Sequence, residues 1–273
     1  MKLAGVVILY NPPKNIYSSI LTYNNYVEKL FIVDNSFNSQ FDKTLYNAKN
    51  TEIIRDGENR GIASRLNQVL IQCQEQGFSH LLTMDQDSFF SKNDFSKYIE
   101  IIKSFKIPQL GMIGLIHDRK FLSAENEENK ILITSGSIIN VDIAIKVGMF
   151  DENLFIDGVD TEFCLTLWGN RYKTILVKSI VLNHSLGFTV NQITPSLRKE
   201  YRTIHNKKRI YYIVRNHFYL RNKFNENKDQ LPFKPIINEI KNAIFYGNEK
   251  AGSFIMALKG YFHFLNRKMG KQL

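Results

Sequence analysis

An α/β fold, built on a doubly wound, mostly parallel sheet with a helical carboxyl-terminal appendage, is predicted for this 273-residue chain by three observations. Short apolar runs alternate with stretches of helical periodicity as far as Leu182, the order that sets parallel strands side by side through crossover helices. Several of those runs end in Asp, Asn or Ser, as strands do when they deliver polar groups to the carboxyl edge of an open sheet. Beyond Gly187 the composition turns basic, aromatic and helical. A soft boundary near residue 190 therefore separates residues 1–190, the α/β domain, from residues 191–273.

Leu3 to Tyr10 is an apolar run closed by Asn11-Pro12-Pro13, which predicts a buried first strand and a turn. Ile16 to Leu30 has helical spacing, Leu30 to Val33 is a second strand, and Thr51 to Arg55 a weaker third. From Ile62 the residues Leu66, Val69, Leu70 and Cys73 keep helical spacing up to Gly77, and His80 to Met84 follows as the fourth strand. Met112 to Ile116, Ile131 to Asn140 and Thr174 to Leu182 supply further strands, with an acid-rich loop from Ser123 to Lys130. Val159, Phe163 and Leu167, closed by Gly169, predict a short helix.

The bulk properties narrow the function classes. Cys73 and Cys164 sit in helical patterns without a Cys-x-x-Cys pair, which argues against a disulfide framework and for a reduced, cytoplasmic protein. The start, Met1 to Val7, lacks a signal-peptide cleavage region, and no apolar stretch reaches the roughly 18 residues of a spanning helix. The net charge of +10 is concentrated between Arg198 and Lys223, where nine Lys/Arg face Glu200 alone. Interleaved Tyr201, Tyr211, Tyr212, Phe218 and Tyr219 make that segment a partner for nucleic acid, anionic lipid or a diphosphate, or else a solvated helical face over an aromatic core. No helix-turn-helix or RNA-binding signature accompanies the charge.

The chemistry lies at strand ends. Asp85-Gln86-Asp87-Ser88 follows the fourth strand, and carboxylates at i and i+2 of extended backbone face one point, which suits Mg²⁺ or Mn²⁺ and the phosphates it accompanies. Asp34-Asn35-Ser36 ends the second strand, where a carboxylate can accept from a base imide. Asn59-Arg60-Gly61-Ile62-Ala63 opens a helix, Gly61 allowing close backbone approach and Arg60 a phosphate contact; its single glycine matches neither the dinucleotide nor the P-loop spacing. Thr134-Ser135-Gly136-Ser137 interrupts an apolar strand, as a bulge or a close ligand would. Among the acids of 151–162, Asp160 is the candidate base because Phe155, Ile156 and Phe163 flank it, while Asp157 and Glu162 suit the start of a helix. His184, after the last strand, is a candidate metal or phosphate ligand.

Together these motifs resemble an inverting family 2 glycosyltransferase of the nucleotide-diphospho-sugar transferase (GT-A) fold, in detail its rhamnosyltransferase branch. The resemblance runs through Val7 to Pro12, Val33 to Ser36, Asn59 to Ala63 with Asn67, Asp85 to Ser88 and Thr134 to Ser137. It continues through Phe150-Asp151-Glu152, Phe155-Ile156-Asp157, Val159 to Glu162, His184, Leu186-Gly187, Tyr211-Tyr212 and Arg215-Asn216. It implies that Tyr10, Asp34, Arg60, Gly61, Asp85 and Gln86 bind the nucleotide-sugar, with Asp34 on the pyrimidine. It further implies that Asp87, Asp85 and His184 hold Mg²⁺ or Mn²⁺, that Ser135, Gly136 and Glu162 lie on the acceptor side, and that Asp160 is the base. Val159 stands where the family has Glu before that base, which makes Glu162 a possible substitute. The implied donor is dTDP-rhamnose and the implied acceptor a glycan or lipid-linked saccharide at the inner face of the plasma membrane. The helix from Phe254 to Met269, with Lys259, Arg267 and Lys268 opposite its apolar residues, suits either that membrane surface or docking on the domain. A sugar-phosphate nucleotidyltransferase is the competing enzyme reading, against which Tyr10 to Lys14 stands where a glycine-rich loop is needed. A non-enzymatic protein that binds nucleic acid or an anionic surface is the competing binding reading.

Overall fold

The computed structural model describes residues 1–13, 16–37, 50–184, 189–193 and 199–273. Lys14, Leu186, Gly187 and Arg198, which the sequence reading used, lie outside them. The chain forms two compact units, Met1–Asp151 with Val159–His184, and Glu152–Gly158 with Ser185–Leu273.

The first unit is built on an eight-stranded mixed sheet in the order β3-β2-β1-β4-β8-β6-β9-β7. Its strands are β1 (Leu3–Leu9), β2 (Lys29–Asp34), β3 (Thr51–Arg55), β4 (His80–Asp85), β6 (Leu110–Ile116), β7 (Glu127–Glu128), β8 (Ser137–Asn140) and β9 (Lys173–Val181). Strands β1 to β4 are parallel, and β6 pairs in parallel with β9. β1 is buried at every position, so it reads as a continuous apolar run rather than an alternating one. Between β1 and β2 the expected helix from Ile16 to Leu30 is confined to α1 (Ile16–Ile20), followed by a turn and a 3₁₀ turn at Asn24–Tyr26, while Leu30 joins β2. Tyr23 and Val27 are buried beneath the sheet, so the apolar spacing there serves packing and not a continuous helix.

β8 departs from parallel order, antiparallel to both β4 and β6, as the short β7 does against β9. Only a 3₁₀ turn at Arg119–Phe121 and the two-residue β7 lie between β6 and β8, with no α-helix to carry the chain back to the far edge, so β8 enters the sheet from the edge where β6 left it and runs antiparallel. The expected strand from Ile131 to Asn140 accordingly shrinks to its last four residues. Thr134 to Gly136 instead form a turn in which the Gly136 N–H donates to Thr83 O (2.8 Å). Gly136 has φ +75°, and a Cβ there would stand 2.7 Å from Leu182 Cδ2, so this turn needs glycine on both counts. The helices of this unit are α1, α2 (Ile62–Glu75), α3 (Asp94–Ser104), α4 (Val141–Lys146) and α5 (Val159–Gly169). Cys73 and Cys164 are buried, and burial pushes both thiols up to about 12.

The second unit holds α6 (Lys207–Lys223), α7 (Phe233–Tyr246) and α8 (Lys250–Leu265), with a hairpin of β11 (Thr189–Ile193) and β12 (Lys199–Thr203). Its small core is Ile210, Ile213, Val214, Ala243 and Ala257. Asn206 caps α6 by accepting from Arg209 N–H.

Candidate active site

Parallel pairing brings the ends of β1, β2, β3 and β4 to one edge. Leu9 stands opposite Asp34, Asp34 opposite Arg55, and Ile8 opposite Asp85. β8 runs against both β4 and β6, so β6 and β9 also point their carboxyl ends to this edge.

After β4 the chain turns into β5 (Ser88–Phe89), which pairs with β10 (Asn183–His184) so that His184 lies opposite Ser88. This two-residue ladder closes the site. One ligand atom from each of Asp85, Asp87 and His184 falls within 4.8 Å of the other two. His184 Nδ1 is 3.4 Å from Asp87 Oδ1 and also meets Ser88 Oγ. Two carboxylates and an imidazole at this spacing fit Mn²⁺, and through the oxygens Mg²⁺. Behind them runs a polar chain. The Asp85 N–H donates to Ser135 Oγ (3.1 Å), and the Ser135 hydroxyl donates to the buried Ser88 Oγ (2.7 Å).

The β2 end is equally organised. Asp34 is fully buried; its Oδ1 accepts from Ser36 N–H, whereas Oδ2 lies 3.5 Å from Arg55 Nε and has no hydrogen-bond partner among the described residues. Ser36 Oγ accepts from the Asn11 N–H and Gln86 Oε1 from the Tyr10 N–H, so the turns after β1, β2 and β4 are tied together. Gly61, at φ +82°, precedes α2, and its N–H donates to Asn59 Oδ1.

No protein-family model matches the chain. In sequence it is similar to the dTDP-rhamnosyl transferase RfbF of Shigella flexneri, 28% identical over 237 residues that span 79% of this chain and 78% of the relative. Among solved structures it is similar to GalNAc-T7, crystallised with UDP, GalNAc and Mn²⁺, at a TM-score of 0.56 and 12% identity over 97% of this chain. It spans only 56% of the GalNAc-T7 chain. It is also similar to S. aureus TarS 1-349, at a TM-score of 0.58 and 15% identity over 98% of this chain and 82% of that one. The chain has the GT-A fold. Glycosyl transfer is the activity its likenesses support.

Within this GT-A fold the expected residues divide. Tyr10, Asp34, Gly61, Asp85, Gln86, Asp87, Ser135, Gly136 and His184 all stand at or just beyond the carboxyl edge or in the turns tied to it. Arg60 is taken up by acids, 2.9 Å from Asp56 Oδ2 and 3.2 Å from Glu58 Oε2. Asp160 lies in the first turn of α5, where its Oδ1 accepts from Thr161 N–H. Glu162 is buried in the same turn, where its Oε1 accepts from the Thr166 hydroxyl.

Two residues went unrecognised in the sequence. Arg65 on α2 is fully buried; it donates to Asn35 Oδ1, Asp56 and Glu58 O, and so builds the turn that holds Asn59 to Gly61. The Arg65 guanidinium holds the Asp56 carboxyl down to about 2. His117 follows β6 directly, and its ring meets His184 edge-on with centroids 5.4 Å apart. Burial first, and His184 second, hold its imidazole down to about 4, so it is neutral. Its place, one residue past a strand at the functional edge, is the same signal that singled out Asp34 and Asp85.

The Tyr211-Tyr212 and Arg215-Asn216 pairs act inside the second unit. Arg215 is buried against both tyrosine rings and donates to Gly270 O and Asn153 O. Asn216 donates to Ile156 O and Asp157 O. These residues fasten the 152–158 segment and the carboxyl terminus to α6.

Proposed function

We propose that this chain is an inverting, Mg²⁺- or Mn²⁺-dependent glycosyltransferase that moves a sugar, rhamnose from dTDP-rhamnose, to a hydroxyl of a glycan or lipid-linked saccharide. The observation that carries the reading is the meeting of Asp85, Asp87 and His184 at the edge where the buried Asp34 keeps a carboxylate oxygen with no hydrogen-bond partner among the described residues, paired only at 3.5 Å with Arg55. Asp34 Oδ2 suits the imide N–H of a pyrimidine, with Tyr10, Arg60, Gly61 and Gln86 around the nucleotide. Asp85 takes the ribose, and Asp87 with Asp85 and His184 holds the cation. When bound, that cation neutralises charge developing on the leaving diphosphate. Ser88, against His184 Nδ1, orients the imidazole.

Asp160 removes the proton of the acceptor hydroxyl. The freed oxygen forms its bond to the anomeric carbon from the face opposite the diphosphate as the bond to the diphosphate breaks, so the configuration inverts. Ser135 and Gly136 border the acceptor side. The reading places the protein in the cytoplasm at the inner face of the plasma membrane, in synthesis of a cell-surface polysaccharide, with no nucleic-acid partner.

A thermal-shift screen of UDP-, dTDP- and GDP-sugars with and without Mn²⁺ tests the donor side. The expected result is a shift that needs both dTDP-rhamnose and metal, lost in Asp87→Ala. For the chemistry, Asp160→Asn should lower kcat by at least about 100-fold with donor binding retained. Transfer that survives both substitutions, or release of pyrophosphate in place of a nucleoside diphosphate, would sink the proposal.

A further inference from the structure

The last helix of the second unit is packed inside out. α8 turns Ser253, Ala257 and Gly260 inward, all three buried. A Cβ at Gly260 would stand 2.5 Å from Tyr211 O, so the α8 backbone rests directly on α6. The large apolar residues are on the other side. Phe254, Leu258, Phe262 and Leu265 recur at i, i+4, i+8 and i+11 as one stripe, with Ile255 beside it, and all five are between 44% and 60% exposed.

A helix at a water-facing surface does the reverse, hiding its large apolar side chains and exposing polar ones. Small residues inward and large apolar residues outward is the arrangement of a helix whose outer neighbour is lipid. At 16 residues α8 is about 24 Å long, short of a bilayer core, and no helix among the described residues is long and apolar enough to cross a membrane. The fitting geometry is a helix lying in the interface.

Charge selects the kind of lipid. By helical spacing Lys250 and Lys259 flank the stripe on either side, and Arg267, Lys268 and Lys271 follow it. From Phe233 to Leu273 seven Lys/Arg face only Glu239 and Glu249. Two copies of this chain joined through α8 would bring those basic rims together, whereas an anionic bilayer neutralises them. α7 adds exposed Ile237 and Phe245 with Lys234 and Lys241.

We propose that the outer face of α8 docks in the interface of an anionic lipid bilayer. The Phe254, Leu258, Phe262 and Leu265 side chains enter the acyl boundary, and Lys250, Lys259, Arg267, Lys268 and Lys271 meet the headgroup phosphates. This deepens the proposed function by naming the surface on which a lipid-linked acceptor is met; it rests on that reading for its purpose and not for its evidence.

The test is co-sedimentation of the full chain with vesicles of phosphatidylcholine alone or with about 30 mol % phosphatidylglycerol. Binding is expected to the anionic vesicles, to weaken as salt is raised to about 0.5 M, and to fall at least about tenfold in Phe254→Ser/Leu258→Ser/Phe262→Ser and in Lys259→Glu/Arg267→Glu/Lys268→Glu. The replaced side chains are exposed, Lys259 partly so, and circular dichroism confirms that each variant is folded. Failure of the wild type to bind anionic vesicles, equal binding to both vesicle types, or a stable dimer that the serine variant converts to monomer would overturn the proposal. Donor-induced thermal shift is read in parallel. Lost vesicle binding with an intact donor shift fails the bilayer face alone, and vesicle binding without a donor shift fails the catalytic reading alone.

Discussion

Arg65 shows how a single side chain sets the carboxyl edge of the sheet. Its guanidinium reaches Asn35 at the end of β2, Asp56 and the Glu58 carbonyl, so the turn before α2 is built from beneath. Arg65→Met should cost about 3 kcal/mol in urea unfolding, because it strands a carbonyl and a carboxylate that the guanidinium satisfied. Arg65→Lys should not restore it, since one ammonium cannot span three acceptors in different directions. Unaltered stability of the Met variant would mean that the turn holds by itself. Ser88 is the corresponding residue beside the proposed metal site. Ser88→Ala should weaken Mn²⁺ binding by about 10- to 100-fold, followed by the spectroscopic signal of free Mn²⁺, while unfolding changes little. Unchanged Mn²⁺ affinity would show that Ser88 does not orient His184.

At the scale of elements, α6 carries a titratable weakness. His217 is buried, its ring 5.1 Å from that of Phe233, and its Nε2 has no hydrogen-bond partner among the described residues. Burial, and then the Arg221 charge, hold its imidazole down to about 4 from an ordinary 6.5. The folded pKa is the lower one, so between 6.5 and 4 the unfolded chain binds the additional proton. Stability is therefore full above pH 6.5 and lost as pH falls toward 4, by on the order of 3 kcal/mol from this group. His217→Phe should lose less Tm than the wild type between pH 7 and 4.5; identical slopes would remove His217 from the account. β8 teaches a different lesson about elements. The run Ile131 to Asn140 looks like one strand, but only its last four residues pair, because the preceding stretch must turn the chain back into the sheet at the functional edge.

For the whole molecule, the division between units does not follow the chain. Glu152–Gly158 belongs to the carboxyl-terminal unit although both its neighbours in sequence belong to the first. Arg215 and Asn216 hold it through the carbonyls of Asn153, Ile156 and Asp157, and Arg209 pairs with Asp157 at 2.9 Å. A chain ending at His184 loses all of these partners. Limited proteolysis of such a fragment should cut first within 152–158, at a site protected in the full chain; equal protection in both would contradict this.

The sequence by itself determined the strand-and-helix alternation, the acids at strand ends and the likeness to a rhamnosyltransferase, because apolar periodicity and turn residues are local properties that survive without coordinates. It also singled out Asp34, Asp85, Asp87 and His184 one by one. Only the tertiary structure decided which of them meet, since the β5 and β10 ladder brings His184 opposite Ser88 across nearly a hundred residues of chain. It likewise decided that Arg60 pairs with Asp56 and Glu58, that Arg65 and His117 belong to the edge, and that α8 shows its large apolar side outward. Each of these depends on what packs against a residue from a distant part of the chain, and periodicity reports a helix's faces without saying which one is covered.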